Sequence, residues 1–336
     1  MQPQRVRVKR GHYRDRRTFN PIEGIIEVEI EVCSQQKHGV DSHLFVGSGE
    51  EEINYRSEDL ERLVKQKQWD HATLKRYALQ LNIGGRAIQA QLDPSGGKKG
   101  LVIFGTSVKG NVKSRLQLTL QPYEGTAIAC LYPASVLQSL PRQGSRGWRH
   151  YEIWEGSLQY IRDKPCNVNE EPNVCTVCDL FGAPGLSSLI EFGTFYMLQD
   201  SIGELVEGPE KLYAATPGSK FRGVINFRGL RLEELGLLLI GMGHLAPDGR
   251  PRPVLFGSHK YRGLAKNLMG RIVYNIVGLK LSSRCDGESI VRPGKRYEGK
   301  ELREVSISAL KAAYEKFGPY IKPVDENAKA LKVMRG

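Results

Sequence analysis

Residues 100–115 read GLVIFGTSVKGNVKSR, and this stretch decides the fold. The apolar run Leu101, Val102, Ile103 and Phe104 predicts a strand, and Gly105 permits a tight turn after it. Val108, Val112 and Leu116 then recur at helical spacing, which predicts a helix with one buried stripe. Thr106 or Ser107 is expected to cap that helix. Unpaired amides in a first turn and the positive end of the helix dipole favour an anion. Lys109 and Lys113, four apart, add charge on one face. Gly105 and Gly110 are spaced as in a Walker A loop, but Asn111 stands where that motif needs Lys followed by Ser or Thr, so ATP is not the expected ligand.

Working outward, Gly24 to Cys33 (GIIEVEIEVC) alternates apolar and acidic residues, as a strand with one wet face does. It leads into a loop with Lys37, His38, Asp41 and His43, and then into HLFVGSG, whose Gly47, Ser48 and Gly49 let backbone pass close to a ligand. Residues 57–81 read as helical, inside an insertion of about residues 50–82, and residues 80–91 return to strand. Downstream, residues 200–222 carry the glycines and prolines of a projecting hairpin, and Gly223 to Phe227 continue as a strand. Leu232 to Met242 form an apolar helix ending at Gly243, Ile272 to Leu281 a core strand, and Ser306 to Phe317 a closing helix. Between them, VLFGSHKYRGLAKNLMGR (254–271) repeats the first theme of short strand, glycine and clustered cations. Two halves of strand, helix and strand point to an α+β, ferredoxin-like (RRM-like) fold with large insertions, not to a doubly wound sheet.

The chain has 336 residues, 49 Lys plus Arg against 37 Asp plus Glu, and a net charge of +12, which suggests a polyanionic partner. Nucleic acid is favoured over a membrane, because no apolar run approaches the roughly 20 residues that span a bilayer. A cytoplasmic location is expected, since the N-terminus lacks the apolar core of a secretory signal. The first 21 residues carry seven cations against Asp15, the pattern of a basic arm that orders on RNA or merely keeps the chain soluble.

Three of the six cysteines cluster as Cys166, Cys175 and Cys178. The C-x-x-C bite sets two thiolates on one tetrahedral ion, and Cys166 supplies a third across a polar loop. His150 is the preferred fourth ligand, with Asp179 and Cys130 as alternatives. Four protein ligands leave no open position, so the ion would be structural zinc. The competing reading is a set of buried, reduced thiols.

Three segments together resemble one family: FGTSVKG (104–110), CTVCDLFG (175–182) and FGSHKYRG (256–263). They are similar to the repeat-associated RAMP proteins of CRISPR effector complexes, and the cysteine segment resembles the zinc-holding insertion of backbone subunits in type III complexes. The resemblance covers roughly residues 22–285, with residues 286–336 as a C-terminal linker and helix. It implies an RRM-like palm with a zinc-binding insertion at about 141–182 and a thumb hairpin at about 200–222. It also implies a guide RNA held mainly through phosphates and 2′-hydroxyls, a target RNA, and packing against other subunits or further copies of the chain. The expected RNA contacts are Gly47, Ser48, Gly49, Gly105, Ser107, Lys109, Gly110, Lys113, Arg115, Lys260 and Arg262. On the thumb, Lys211, Tyr213, Lys220 and Phe221 are added.

Several type III backbone subunits cut target RNA with one loop acid. Here Arg86 and Ala87 stand near the matching position, so catalysis is not expected from that position. The alternative is a Mg²⁺-dependent endoribonuclease using another acid, with Asp41 preferred and Glu50, Glu51, Glu52 and Asp93 behind it. A more remote reading is a stand-alone zinc-containing single-strand binder.

Overall fold

The computed structural model describes residues 4–17, 22–45, 101–131, 141–145, 147–199, 201–207, 210–257, 259–264, 266–286 and 290–335. The expectations placed on Gly47, Ser48, Gly49, the segment at 50–82, the strand at 80–91 and the acids Glu50, Glu51, Glu52 and Asp93 lie outside the described residues.

In chain order the elements are β1 (Gln4–Val8), β2 (Gly11–His12), β3 (Ile22–Val32), α1 (Gln35–His38), β4 (Val102–Ile103), α2 (Gly105–Thr119) and β5 (Thr126–Ala127). They continue with α3 (Trp148–Leu158), β6 (Tyr160–Arg162), β7 (Asn173–Val174), α4 (Thr176–Phe181), β8 (Ile190–Phe192) and β9 (Phe195–Met197). The hairpin β10 (Ile202–Glu207) and β11 (Glu210–Ala215) precedes β12 (Lys220–Leu230) and α5 (Leu232–Gly241). The chain closes with β13 (Val254–Leu255), β14 (Arg271–Leu281), β15 (Arg296–Tyr297), α6 (Gly299–Phe317) and α7 (Glu326–Arg335).

The architecture is mixed α and β around one antiparallel sheet in the order β13-β14-β3-β12-β9-β4, with β15 on β14 and β8 on β12. The long strands β3, β12 and β14 form its centre, with Ile26 opposite Ile225 and Leu279. Alternation sets the two faces. On β12, Phe221, Ile225 and Phe227 point into the core while Arg222, Val224 and Asn226 point out. On β3 the even positions Ile26, Val28, Ile30 and Val32 are fully buried. The acidic row opposite them is matched cation by cation. Glu27 pairs with Arg296 at 2.6 Å, Glu29 with Lys220 at 2.6 Å and Arg222 at 3.2 Å, and Glu31 with Lys37 at 2.7 Å.

Helices α2, α5 and α6 cover the inner face, with α5 packed between the other two. Val108, Val112 and Leu116 are fully buried, as their spacing predicts, each worth about 1.5–3 kcal/mol against exposure. Helix α2 starts earlier than expected. Phe104, in extended conformation, is its N-cap, so Thr106 and Ser107 fall inside the first turn and no side chain caps it. Gly105 has a packing role: a Cβ there would lie 1.9 Å from the Phe192 carbonyl oxygen.

The N-terminal residues are folded onto the molecule. Strand β1 lies parallel between β5 and β6, and β2 pairs with β7. The closing helix begins at Gly299, one turn and more before Ser306, and α7 follows as a helix the sequence reading did not anticipate. Among the described residues no helix is long and apolar enough to cross a membrane.

Candidate nucleic-acid interface and metal centre

The first and third sequence motifs, far apart in the chain, line one cleft of about 550 Å³. Ser107 and Gly110 come from α2, and Phe256, Gly257, Lys260 and Tyr261 from the loop after β13. Asn111 ties the two together. Its Nδ2 donates to the Leu255 carbonyl at 2.9 Å, and its Oδ1 accepts from the Tyr274 hydroxyl at 2.9 Å. The residue that disqualifies a Walker A loop is therefore a packing joint between α2, β13 and β14.

The expected RNA contacts divide sharply. Ser107 and Gly110 are exposed, and nothing lies within 4 Å of a Cβ built on Gly110, so backbone and hydroxyl are open to a ligand. Lys109 is partly buried and has no ion pair among the described residues. Burial and then Lys113 lower its pKa, with Glu191 acting in the opposite direction. Lys260 is similarly sunk into the cleft wall, its ammonium 5.3 Å from the Tyr261 ring centroid and its pKa lowered by burial. Arg262 is exposed beside it.

Arg115 is not a phosphate contact. It is 5% exposed, ion-paired to Glu326 through Nε, and its other nitrogens donate to the Gly241 and Leu255 carbonyls, both at 2.9 Å. Its charge is consumed inside the protein. Lys113 turns away as well, donating to the Gly182 carbonyl at 2.8 Å. Lys220 lies on the outer sheet face against Glu29, at the base of the hairpin instead of its tip. Phe221 is fully buried, so it contacts no RNA. The side chains of Lys211 and Tyr213 lie outside the described residues.

His150 belongs to this cleft and not to the cysteines. Its Nδ1 is 2.8 Å from the Tyr261 hydroxyl, and Trp154 is a further side-chain partner of that phenol. Burial, and then the nearby Lys260, hold the imidazole down to about 4, so it is neutral at physiological pH.

The fourth member of the cysteine cluster is Cys130. The sulfurs of Cys130, Cys166, Cys175 and Cys178 all lie within 4.8 Å of one another, and all four residues are buried. A tetrahedral ion with bonds of about 2.3 Å to sulfur requires sulfur separations of this order. The surroundings suit thiolates. Backbone amides of Cys130 and Cys178 donate to Cys175 Sγ at 3.3 and 3.4 Å, and the Cys175 amide donates to Cys166 Sγ at 3.2 Å. Hydrogen bonds from Cys130 and the C-x-x-C pair hold Cys166 far below the usual thiol range, while the same contacts push Cys178 up. Arg10 hydrogen-bonds Cys166, and the buried Arg162 sits in the field of Cys130 and Cys175, offsetting negative charge. Asp179 is turned toward the N-terminal segment, where Arg14 and Arg16 take it at 2.7 and 2.8 Å.

Asp41 is exposed and accepts the Gln35 amide at 2.8 Å, at the start of α1, whose N-cap residue is Ser34. It joins no group of three or more metal-ligating side chains among the described residues.

No family model matches the chain, and no curated protein does. Many solved chains are similar to it, two crystal structures among them. One is Csc2 of Thermofilum pendens, 13% identical, with 95% of this chain and 83% of that chain covered and a TM-score of 0.36. The other is Csm3 of Methanopyrus kandleri, 13% identical, with 88% of this chain and 98% of that chain covered and a TM-score of 0.34.

Proposed function

We propose that this chain is a RAMP-type backbone subunit of a type III CRISPR interference complex and that it holds guide RNA through the cleft between α2 and the loop after β13. The observation that carries this reading is the convergence of FGTSVKG and FGSHKYRG, distant in sequence, on that one cleft. Open backbone at Gly110, the Ser107 hydroxyl and Lys260, a cation of the cleft without an ion pair among the described residues, suit phosphates whatever the base sequence, and Lys109 adds a second such cation on the neighbouring face of α2. A net charge of +12 adds long-range attraction for a polyanion.

The palm is ferredoxin-like in this reading. The chain order β3, α2, β9, β12, α5, β14 with spatial order β14-β3-β12-β9 is the split strand-helix-strand arrangement of that fold. The β10–β11 hairpin is the thumb. The four cysteines hold structural zinc, which fixes α4 and the loop around Cys166 and leaves no open coordination position. Target RNA and neighbouring subunits, further copies of this chain included, complete the assembly.

The test is to purify the chain with its native associates and sequence the small RNA it carries. Reads sharing a repeat-derived end followed by varied spacer sequence support the reading. RNA of random origin, from a preparation that retains its partner subunits, overturns it.

A further inference from the structure

The cleft leaves the most basic part of the sequence unused. Strand β1 buries Val6 and Val8, 4% and 2% exposed, so Arg5, Arg7 and Lys9 stand together on its outer face. Alternate residues of a strand are about 7 Å apart, a spacing comparable to that of phosphates along an extended single strand. Parallel register extends this face sideways, placing Arg5 beside the exposed Ile161 and Arg7 beside Thr126. Lys9 donates to the Tyr320 hydroxyl at 3.0 Å, and Tyr320 meets the exposed Tyr123 edge to face at 6.0 Å. Neither Arg5 nor Arg7 has an ion pair among the described residues. Glu124 borders the face next to Tyr123.

We propose that the outer face of β1 is a second track for single-stranded RNA, with Arg5, Arg7 and Lys9 on phosphates and Tyr123 as a stacking platform. A periodic row of cations flanked by an aromatic pair, its Tyr123 exposed and its Tyr320 partly buried, fits an extended polyanion carrying planar groups. The track is separate from the cleft. Arg162 in β6 caps the C-terminal end of α2 through the Gln117 and Leu120 carbonyls, whereas the cleft runs along the α2 face that carries Ser107, Gly110, Ser114 and Leu118. Ser107 and Gln117, ten residues apart on α2, are about 15 Å apart along its axis, and no residue of the track lines the cleft. The inference rests on the proposed function only in taking RNA as the polyanion.

The test uses the full-length chain and a long unstructured oligoribonucleotide, with affinity measured across a salt series. Arg5→Gln with Arg7→Gln should reduce the slope of log K against log salt by about 1.4, Lys260→Ala in the cleft by about 0.7, and the triple variant by the sum. Tyr123→Ala should leave the slope unchanged and weaken binding about tenfold. All these side chains are at least partly exposed, and unchanged melting temperatures verify the fold. If the arginine pair leaves the slope at the wild-type value while Lys260→Ala lowers it, the second track is overturned and the cleft stands. If the arginine pair lowers the slope and Lys260→Ala does not, the track stands and the cleft reading falls. Loss of a co-purified acidic protein from the arginine variant, with RNA binding intact, also overturns the track.

Discussion

Arg115 and Glu326, 211 residues apart in the chain, meet as a buried ion pair, each side chain about 5% exposed. The second carboxylate oxygen of Glu326 accepts the Leu255 amide at 3.0 Å, so one acid joins α2, β13 and α7. Glu326→Ala strands a buried guanidinium and a buried amide together. It should cost about 3–5 kcal/mol in urea unfolding, and Glu326→Gln, which keeps the shape, should cost less. A loss below about 1 kcal/mol for the alanine variant would show that the pair is not what holds α7 in place.

Lys109→Ala removes one cation from the α2 face beside Lys113 and Glu191, next to the face that lines the cleft, without touching the core. Guide RNA binding should weaken for every guide sequence tested, and the salt slope should fall by about 0.7 to 1. Weakening confined to some sequences would mean that Lys109 reads bases instead of phosphate.

Metal and N-terminal segment should be coupled. Arg10 contacts Cys166, β2 pairs with β7 just before Cys175, and Arg14 and Arg16 hold Asp179 just after Cys178. The purified chain should carry about one zinc ion, and chelation should speed tryptic cleavage at Arg14 and Arg16. Cys130→Ser should reproduce this, whereas His150→Gln should keep the metal. Unchanged cleavage after complete metal removal would break the link.

His150 should make folding stability depend on pH. Its folded pKa of about 4 lies below the ordinary value of 6.5, so between those limits the unfolded chain binds more protons than the folded one. Its neutral form therefore contributes in full above about pH 6.5, and stability falls as the pH drops from there toward 4, by up to about 3 kcal/mol at the lower end. Denaturant titrations of wild type and His150→Gln at several pH values should show a shallower acid loss in the variant. Parallel curves would mean that another group, such as the buried His244, carries the dependence.

Periodicity made the core legible. The β3 alternation, the Val108, Val112 and Leu116 stripe, the hairpin and the α5 helix all follow from local spacing that the structure keeps. What spacing hides is who the distant neighbour is. Gly105 reads as a turn residue, but the Phe192 carbonyl that demands it lies on another strand. Arg115 sits on a motif helix and reads as an RNA contact, because its partner Glu326 belongs to a short polar helix with little apolar signal. Cys130 is separated from the C-x-x-C pair by an entire helix, so proximity in sequence favoured His150 instead. One signal was present and passed over. The alternation RVRVK in residues 5–9 marks a strand with a basic face, which the density of charge made look like an unstructured arm.

The paired row along β3 has a consequence for how a charged ligand travels over the molecule. With Glu27, Glu29 and Glu31 each closed by at least one cation, the acidic row of β3 projects little negative field beyond a Debye length. On the proposed function, an approaching polyanion therefore meets little repulsion from that row. Reversing one of those acids would redraw that field map while leaving both binding areas chemically intact.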